Sequence, residues 1–182
     1  MKVSNEGEAK QLVDWIFPEN KVRHEVRQAC LRIFADAVAE ANIYGRDKWV
    51  VKCDSNHIRL QMNGKIKNII VCTLAKGRIW MALDKGLLGT PNRQPLPEKS
   101  GDWEWDTDDY PEYPSISSRN GYYLPSEKHA KVWPGIRRLH FESIYKAASG
   151  ENKPGAPQNH SPEILKYLRN ELGRHVPDPL HQ

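Results

Sequence analysis

The chain has 182 residues, of which 38% are hydrophobic and 27% are charged, and its formal net charge is +4. These values predict one domain over residues 1–182, long enough to bury a core. No apolar run approaches the length of a membrane span, and the first ten residues lack the apolar core of a secretory signal, so we expect a cytoplasmic protein without membrane contact. Cys30, Cys53 and Cys72 are too widely spaced for a disulfide framework or a zinc site. We therefore expect buried thiols and neither metal nor cofactor.

Two helices are predicted at the start of the chain. Residues 8–17 carry apolar side chains at helical spacing, and Pro18 stops the pattern. Asn20 then caps a long helix that Gly45 ends, and Arg27 falls outside its apolar stripe. That stripe consists of Val22, Val26, Ala29, Cys30, Ile33, Ala37 and Ala41.

Four successive strands follow, at residues 48–53, 57–62, 65–74 and 78–83. Asn63-Gly64 is a strong signal for a two-residue hairpin turn, because both residues tolerate positive φ. Lys76-Gly77 is predicted to turn the third strand into the fourth. With a short fifth strand at residues 122–124, the pattern predicts an α+β fold, in which an antiparallel meander of four to five strands packs against the N-terminal helices.

The second half of the chain is predicted to hold a long loop and two C-terminal helices. Residues 86–123 include five prolines and form the loop. A helix at residues 134–148 and a Gly/Pro-rich linker at residues 150–159 follow it. The last helix begins after Ser161 with a first-turn proline, and Gly173 ends it.

The charge distribution singles out one segment of that loop. Residues 101–113 contain six of the 23 carboxylates and no basic residue. The rest of the chain therefore has 27 basic and 17 acidic residues, a net charge of +10. A basic body that carries one acidic, aromatic-rich loop indicates a surface built to bind a partner.

Polar and apolar residues alternate along residues 57–62, so one face of the second strand is predicted to be core and the other polar. Basic groups beside an aromatic ring are typical of surfaces that hold single-stranded nucleic acid or extruded bases. An ordinary solvated sheet face is the alternative. The predicted nucleic-acid-binding residues on this face are Lys52, Arg59, Lys67 and Trp80.

The long loop supplies a second candidate site, a pocket for a base or another planar ligand. Aromatic rings can sandwich a base, and carboxylates can accept hydrogen bonds from its exocyclic amino group. Its candidate residues are Trp103, Trp105, Tyr110, Tyr113, Arg119, Tyr122 and Tyr123. Two alternatives stay open: a lid whose Trp residues fill the core, or a docking patch for a basic protein partner.

No catalytic residue is predicted. Arg169 and His175 follow a spacing that resembles the HEPN ribonuclease motif, which makes a divergent ribonuclease the third option. However, Gly173 is expected to end the helix before His175, and the HEPN scaffold is all-helical.

Three stretches resemble a bacterial domain associated with HNH and restriction-type nucleases and with phage defence: HIRLQMNGKIKNIIV, VWPGIRRLHFESIYKAA and HSPEILKYLRNELGRHVPDPL. The resemblance implies a sensing or binding module that acts beside a nuclease or another defence protein. Its expected partner is DNA or RNA, or a nucleotide ligand. A protein–protein adaptor or immunity-type partner that uses the acidic aromatic loop is the alternative.

Overall fold

The computed structural model describes residues 3–44, 48–63, 68–82, 105–106, 121–124, 160–178 and 180. Within these residues the helices are α1 (Glu6–Ile16), α2 (His24–Ile43) and α3 (Pro162–Leu172). The strands are β1 (Trp49–Cys53), β2 (Ile58–Asn63), β3 (Asn68–Ala75), β4 (Arg78–Ala82), β5 (Trp105–Asp106) and β6 (Gly121–Leu124). The predicted α+β class is confirmed. The helix predicted at residues 134–148 and the linker at residues 150–159 lie outside the described residues.

The strands form one antiparallel sheet in the order β1-β2-β3-β4-β6-β5. Its first four strands are the predicted meander, and β6 confirms the predicted fifth strand. The predicted turn between β3 and β4 is also confirmed, because Ala75 pairs with Arg78 across Lys76 and Gly77. Both turn residues have positive φ, +50° and +73°, as a type I′ hairpin turn requires. β5 lies within the segment predicted to be a loop.

The connection between β2 and β3 differs from the prediction. A two-residue turn at Asn63-Gly64 would pair Met62 with Lys65, and so would set a lysine opposite a fully buried side chain. In the structure Met62 pairs with Ile69 instead. The observed register sets an isoleucine and not a lysine opposite the buried Met62, so burial of the apolar face outweighs the local preference of the Asn-Gly pair.

The start of α2 also differs from the prediction, since Asn20 does not cap it. The carbonyl oxygen of Pro18 accepts hydrogen bonds from the backbone N–H groups of Lys21 and Val22, both at 2.9 Å. These bonds fold residues 18–22 into a turn, so α2 begins later, with Arg23 in the N-cap position and no side-chain cap.

The start of α1 precedes the predicted one by two residues. Asn5 occupies the N-cap position, and its side-chain oxygen accepts a 2.9 Å hydrogen bond from the backbone N–H of Glu8. Such a bond satisfies a donor that the first turn would otherwise leave unpaired. The side chain of Asn5 therefore sets the first residue of α1.

The core lies between the helices and one face of the sheet. The predicted apolar face of β2 is confirmed, because Ile58, Leu60 and Met62 are fully buried. The largest buried side chains of the core come from α1, α2 and all of the first three strands, among them Leu12, Phe17, Leu31, Phe34, Trp49, Leu60 and Leu74. The described helices therefore pack against one face of the sheet.

Arg27 is buried, with 7% of its surface exposed, although the sequence pattern placed it outside the apolar stripe of α2. Its guanidinium donates to the Asp14 carboxylate on α1 and to the Tyr167 hydroxyl on α3, each at 2.6 Å. It also lies 3.5 Å from the Glu171 carboxylate. Burial is the main reason that the pKa of Tyr167 rises to about 12, so this hydroxyl stays protonated. Arg27 thus links all three described helices.

The segment that precedes α3 covers the outer edge of β1. The backbone N–H of Val51 donates to Nδ1 of His160 at 3.1 Å, and its carbonyl accepts from the N–H of Ser161 at 2.8 Å. Since Nδ1 accepts, the proton of the neutral ring is on Nε2, which donates to Asp178 at 3.0 Å. Ser161 and Pro162 begin α3 and Gly173 ends it with a φ of +60°, as predicted.

We expect Arg27→Met to lower the free energy of unfolding by about 2 kcal/mol, because it removes the cation shared by three partners on α1 and α3. Lys10→Met is the matched control, since Lys10 forms an exposed ion pair with the same Asp14. That variant should change stability by less than about 0.5 kcal/mol. Urea unfolding measures both, and equal losses would contradict the central role of Arg27.

The turn between β3 and β4 gives a second prediction about stability. A Cβ atom at Gly77 would lie 2.7 Å from Cγ2 of Val22, and its φ is +73°. Gly173 also has positive φ but has open space around the corresponding position. Gly77→Ala should therefore reduce the melting temperature more than Gly173→Ala, which carries only the conformational cost of roughly 1 kcal/mol. A smaller loss for Gly77→Ala would contradict the close contact with Val22.

Candidate functional site

One row of paired residues crosses five strands of the sheet: Lys52, Arg59, Thr73, Trp80 and Tyr123. Residues directly opposite each other on antiparallel strands share a face of the sheet. The next row along these strands contains the buried residues Val51 and Leu60, so the first row belongs to the face opposite the helices. We call it the basic–aromatic row. It brings together three residues of the predicted binding face and one of the predicted base pocket.

At the basic end of this row, Arg59 is partly exposed and forms an ion pair with Asp54. One third of the Arg59 side chain is exposed, and its Nη1 lies 3.0 Å from Oδ2 of Asp54. The other oxygen of Asp54 lies 2.9 Å from Nδ1 of His57. Burial alone would raise the pKa of the Asp54 carboxyl, but the hydrogen bond with His57 and the positive charge of Arg59 hold it below its usual value.

These contacts fix Arg59 without using up its capacity to bind. A guanidinium has five N–H donors, so an ion pair with one carboxylate oxygen leaves donors for a second anion. Lys52 pairs with Arg59 across β1 and β2, and its side chain is half-buried. Two cations on adjacent strands can bind neighbouring phosphate groups of one chain, which an isolated surface lysine cannot do.

The polar face predicted on β2 includes one buried residue, Gln61. Gln61 is only 4% exposed, and its partner on β1, Val50, is fully buried although it does not belong to the main core cluster. This part of the second face is therefore covered. The accessible part of β1 and β2 lies at the other end of these strands, where Lys52, Arg59 and His57 are found.

The predicted base pocket is divided by the strand register. Trp105 pairs with Tyr122, Tyr122 pairs with Met81, and Met81 pairs with the fully buried Cys72. Trp105 and Tyr122 therefore belong to a row of the core-side face, whereas Tyr123 belongs to the basic–aromatic row. The remaining predicted site residues lie outside the described residues: Lys67, Trp103, Tyr110, Tyr113 and Arg119.

Arg78 is a site residue that the sequence analysis missed. It is exposed at the start of β4 and precedes Trp80 by two residues, so the two residues share a face. The same alternation that selected Arg59 on β2 would have found it. Arg78 adds a third cation to the face that carries the basic–aromatic row.

The two residues of the ribonuclease-like pair do not lie on one helix. α3 ends at Leu172, and the exposed His175 lies beyond it. Nε of Arg169 donates to the carbonyl oxygen of Val176, so Arg169 stabilises the chain that follows α3. These contacts give Arg169 a structural role and place His175 on a different segment.

The residues that the structure describes include no group of three His, Cys, Asp or Glu side chains placed to hold a metal ion. No helix among them is both long enough and apolar enough to cross a membrane. Cys30 and Cys72 are buried as predicted, whereas Cys53 is partly exposed; all three are free thiols. Burial raises the pKa of Cys30 and of Cys53 to about 12, which keeps these two thiols protonated.

The lowered pKa of Asp54 predicts how the site responds to acid. A carboxyl whose pKa is lower in the folded protein contributes stability above its unfolded pKa of about 3.9 and loses that contribution as the pH falls through the folded value. We expect Asp54→Asn to reduce the melting temperature at pH 7, and the difference from the unmodified protein to shrink at about pH 3. The exposed Glu19, replaced by Gln, is the control. A difference that does not change with pH would contradict the ion pair.

Comparison with known proteins yields no assignment: no family model, no curated protein and no solved structure matches the chain. The resemblance to a defence-associated bacterial domain therefore stays a prediction from the sequence.

Proposed function

We propose that this protein binds single-stranded nucleic acid across the second face of its sheet. The observation that carries the proposal is the basic–aromatic row. It places two cations at one end of the sheet and two aromatic residues, Trp80 and Tyr123, toward the other. Phosphates are bound at Lys52 and Arg59, and bases stack along the row.

The dimensions of the sheet suit a strand of several nucleotides. Neighbouring strands lie about 4.8 Å apart, so the four steps from Lys52 to Tyr123 span about 19 Å. A duplex presents phosphates outward and hides the faces of its bases, whereas a single strand exposes both. A surface that combines cations with aromatic residues therefore favours the single strand.

The setting that we propose is the one implied by the resemblance, a sensing module beside a nuclease in bacterial defence. The free thiols Cys30 and Cys72 suit the reducing cytoplasm expected from the sequence. The adaptor alternative depends on residues 101–113, of which the structure describes only Trp105 and Asp106. The adaptor alternative is distinguished from nucleic-acid binding by whether a protein or a nucleic acid co-purifies with the chain.

Fluorescence anisotropy with labelled single-stranded DNA, single-stranded RNA and duplex DNA over a salt series tests the proposal. We expect both single strands to bind more tightly than the duplex. The double variant Lys52→Gln/Arg59→Gln should reduce the salt dependence for a single strand by about 1.4 in log–log slope, because two phosphate contacts are lost. The charge-matched control Arg32→Gln/Lys166→Gln, on α2 and α3, should leave the slope unchanged.

The aromatic half of the row is tested separately. Trp80→Leu should weaken single-strand binding about tenfold at every salt concentration without changing the slope, because stacking does not involve counterion release. A circular dichroism melt shows whether the variant is folded. Absence of binding by the unmodified protein even at low salt would overturn the proposal, and co-purification with a protein but no nucleic acid would then favour the adaptor.

A further inference from the structure

A groove of about 490 Å³ lies at the end of the sheet that carries the β1–β2 and β3–β4 turns. Three stretches of the chain form its walls: the end of α1 with the adjoining residues 18–22, the β1–β2 turn and the β3–β4 turn. Because His57 lines the groove and shares Asp54 with Arg59, the groove adjoins the proposed binding face.

A close backbone contact, a tight turn and two backbone hydrogen bonds fix the walls of the groove. Gly77 approaches Val22 so closely that a Cβ atom would lie 2.7 Å from its methyl group. The positive φ of Lys76 belongs to the tight turn between β3 and β4. The two hydrogen bonds to the carbonyl of Pro18 shape the segment that carries Lys21. The groove is thus built before any ligand arrives, as small-molecule sites usually are.

The chemistry of the lining suits an anion that carries a planar ring. Trp15 leaves 71% of its surface exposed, an unusually large apolar area for a side chain of a folded domain. Lys21 and Lys76 are exposed cations on two different walls, and the amide of Asn56 offers both a donor and an acceptor. None of the lining residues that the structure describes is acidic. The charge of the groove is therefore complementary to a phosphate group.

We propose that this groove binds one nucleotide unit, with its base stacked on Trp15 and its phosphate between Lys21 and Lys76. The identity of the ligand rests on the proposed function, since His57 in the groove and Arg59 on the sheet contact the same carboxylate, Asp54, which places the groove beside the basic residues of the row. Asn56 hydrogen-bonds the base edge, and His57 lines the side nearest the sheet. The groove thus anchors one nucleotide while the sheet binds the rest of the strand.

The nucleotide 5′-AMP is the probe that isolates the groove from the sheet. In a ¹⁵N–¹H spectrum, the indole N–H signal of Trp15, assigned by its loss in Trp15→Phe, should shift and saturate during an AMP titration. Lys21→Gln/Lys76→Gln should weaken this binding at least fivefold, whereas Arg32→Gln/Lys166→Gln, which removes two charges from α2 and α3, should leave it unchanged. Absence of a shift at the Trp15 signal would overturn the groove as a nucleotide site.

A single-stranded oligonucleotide of about 12 nucleotides then tests the continuity between groove and sheet. Trp15→Ala should weaken its binding about tenfold, whereas Ile43→Ala should not, since Ile43 is similarly exposed (68%) but lies at the end of α2. If Trp15→Ala has no effect while Lys52→Gln/Arg59→Gln does, the groove proposal fails and the sheet proposal stands. If AMP shifts Trp15 but the oligonucleotide does not bind, the groove is a mononucleotide site and the sheet proposal fails.

Discussion

The buried guanidinium of Arg27 is the contact on which the helical layer depends. Removing a charge of this kind from water is unfavourable, and hydrogen-bond and ion-pair partners offset that cost. Asp14 on α1 and Tyr167 on α3 supply those partners, and Gln28 donates to Glu171 and so holds a further carboxylate nearby. An apolar side chain could fill the same space, but it would not fix the relative positions of three helices through directional bonds.

The position of the helices determines which face of the sheet can bind a ligand. Because α1, α2 and α3 supply the core on one side, the residues that alternate with the core positions are left on the other. The contacts of Val51 with His160 and Ser161 join the edge strand to the segment that leads into α3. Lys52, next in sequence, is therefore fixed from both sides, by β2 and by this segment. A helical layer tied by one arginine thus sets the geometry of a cationic surface on the opposite face.

Local patterns in the sequence predict this fold where side-chain burial and local preference agree. Alternation along β2 identifies its apolar face, and Lys76-Gly77 identifies a turn, because both signals act within a few residues. Asn63-Gly64 fails because the turn preference of two residues competes with the burial of a whole strand. Arg27 is missed because a charged residue is assigned to the surface unless its partners are known, and those partners lie 13 and 140 residues away.

In the candidate site, too, the residues set by local patterns are predictable from the sequence and those set by distant contacts are not. Lys52, Arg59 and Trp80 are found from alternation, since each belongs to a predicted strand. The separation of Tyr122 from Tyr123 also follows from alternation, once β6 is recognised as a strand. The groove around Trp15 is not predictable in this way, because its walls come from three separate stretches of the chain and no motif connects them.

The covered edge of β1 has a consequence for the synthesis of the chain. Val51 and His160 are separated by 109 residues, which a ribosome adds in about 5–20 s. Until residues 160 and 161 emerge, the outer N–H and C=O groups of β1 are open to pairing with any extended chain nearby. The nascent protein therefore carries an unprotected strand edge during this interval, and the segment that leads into α3 closes that edge when it emerges.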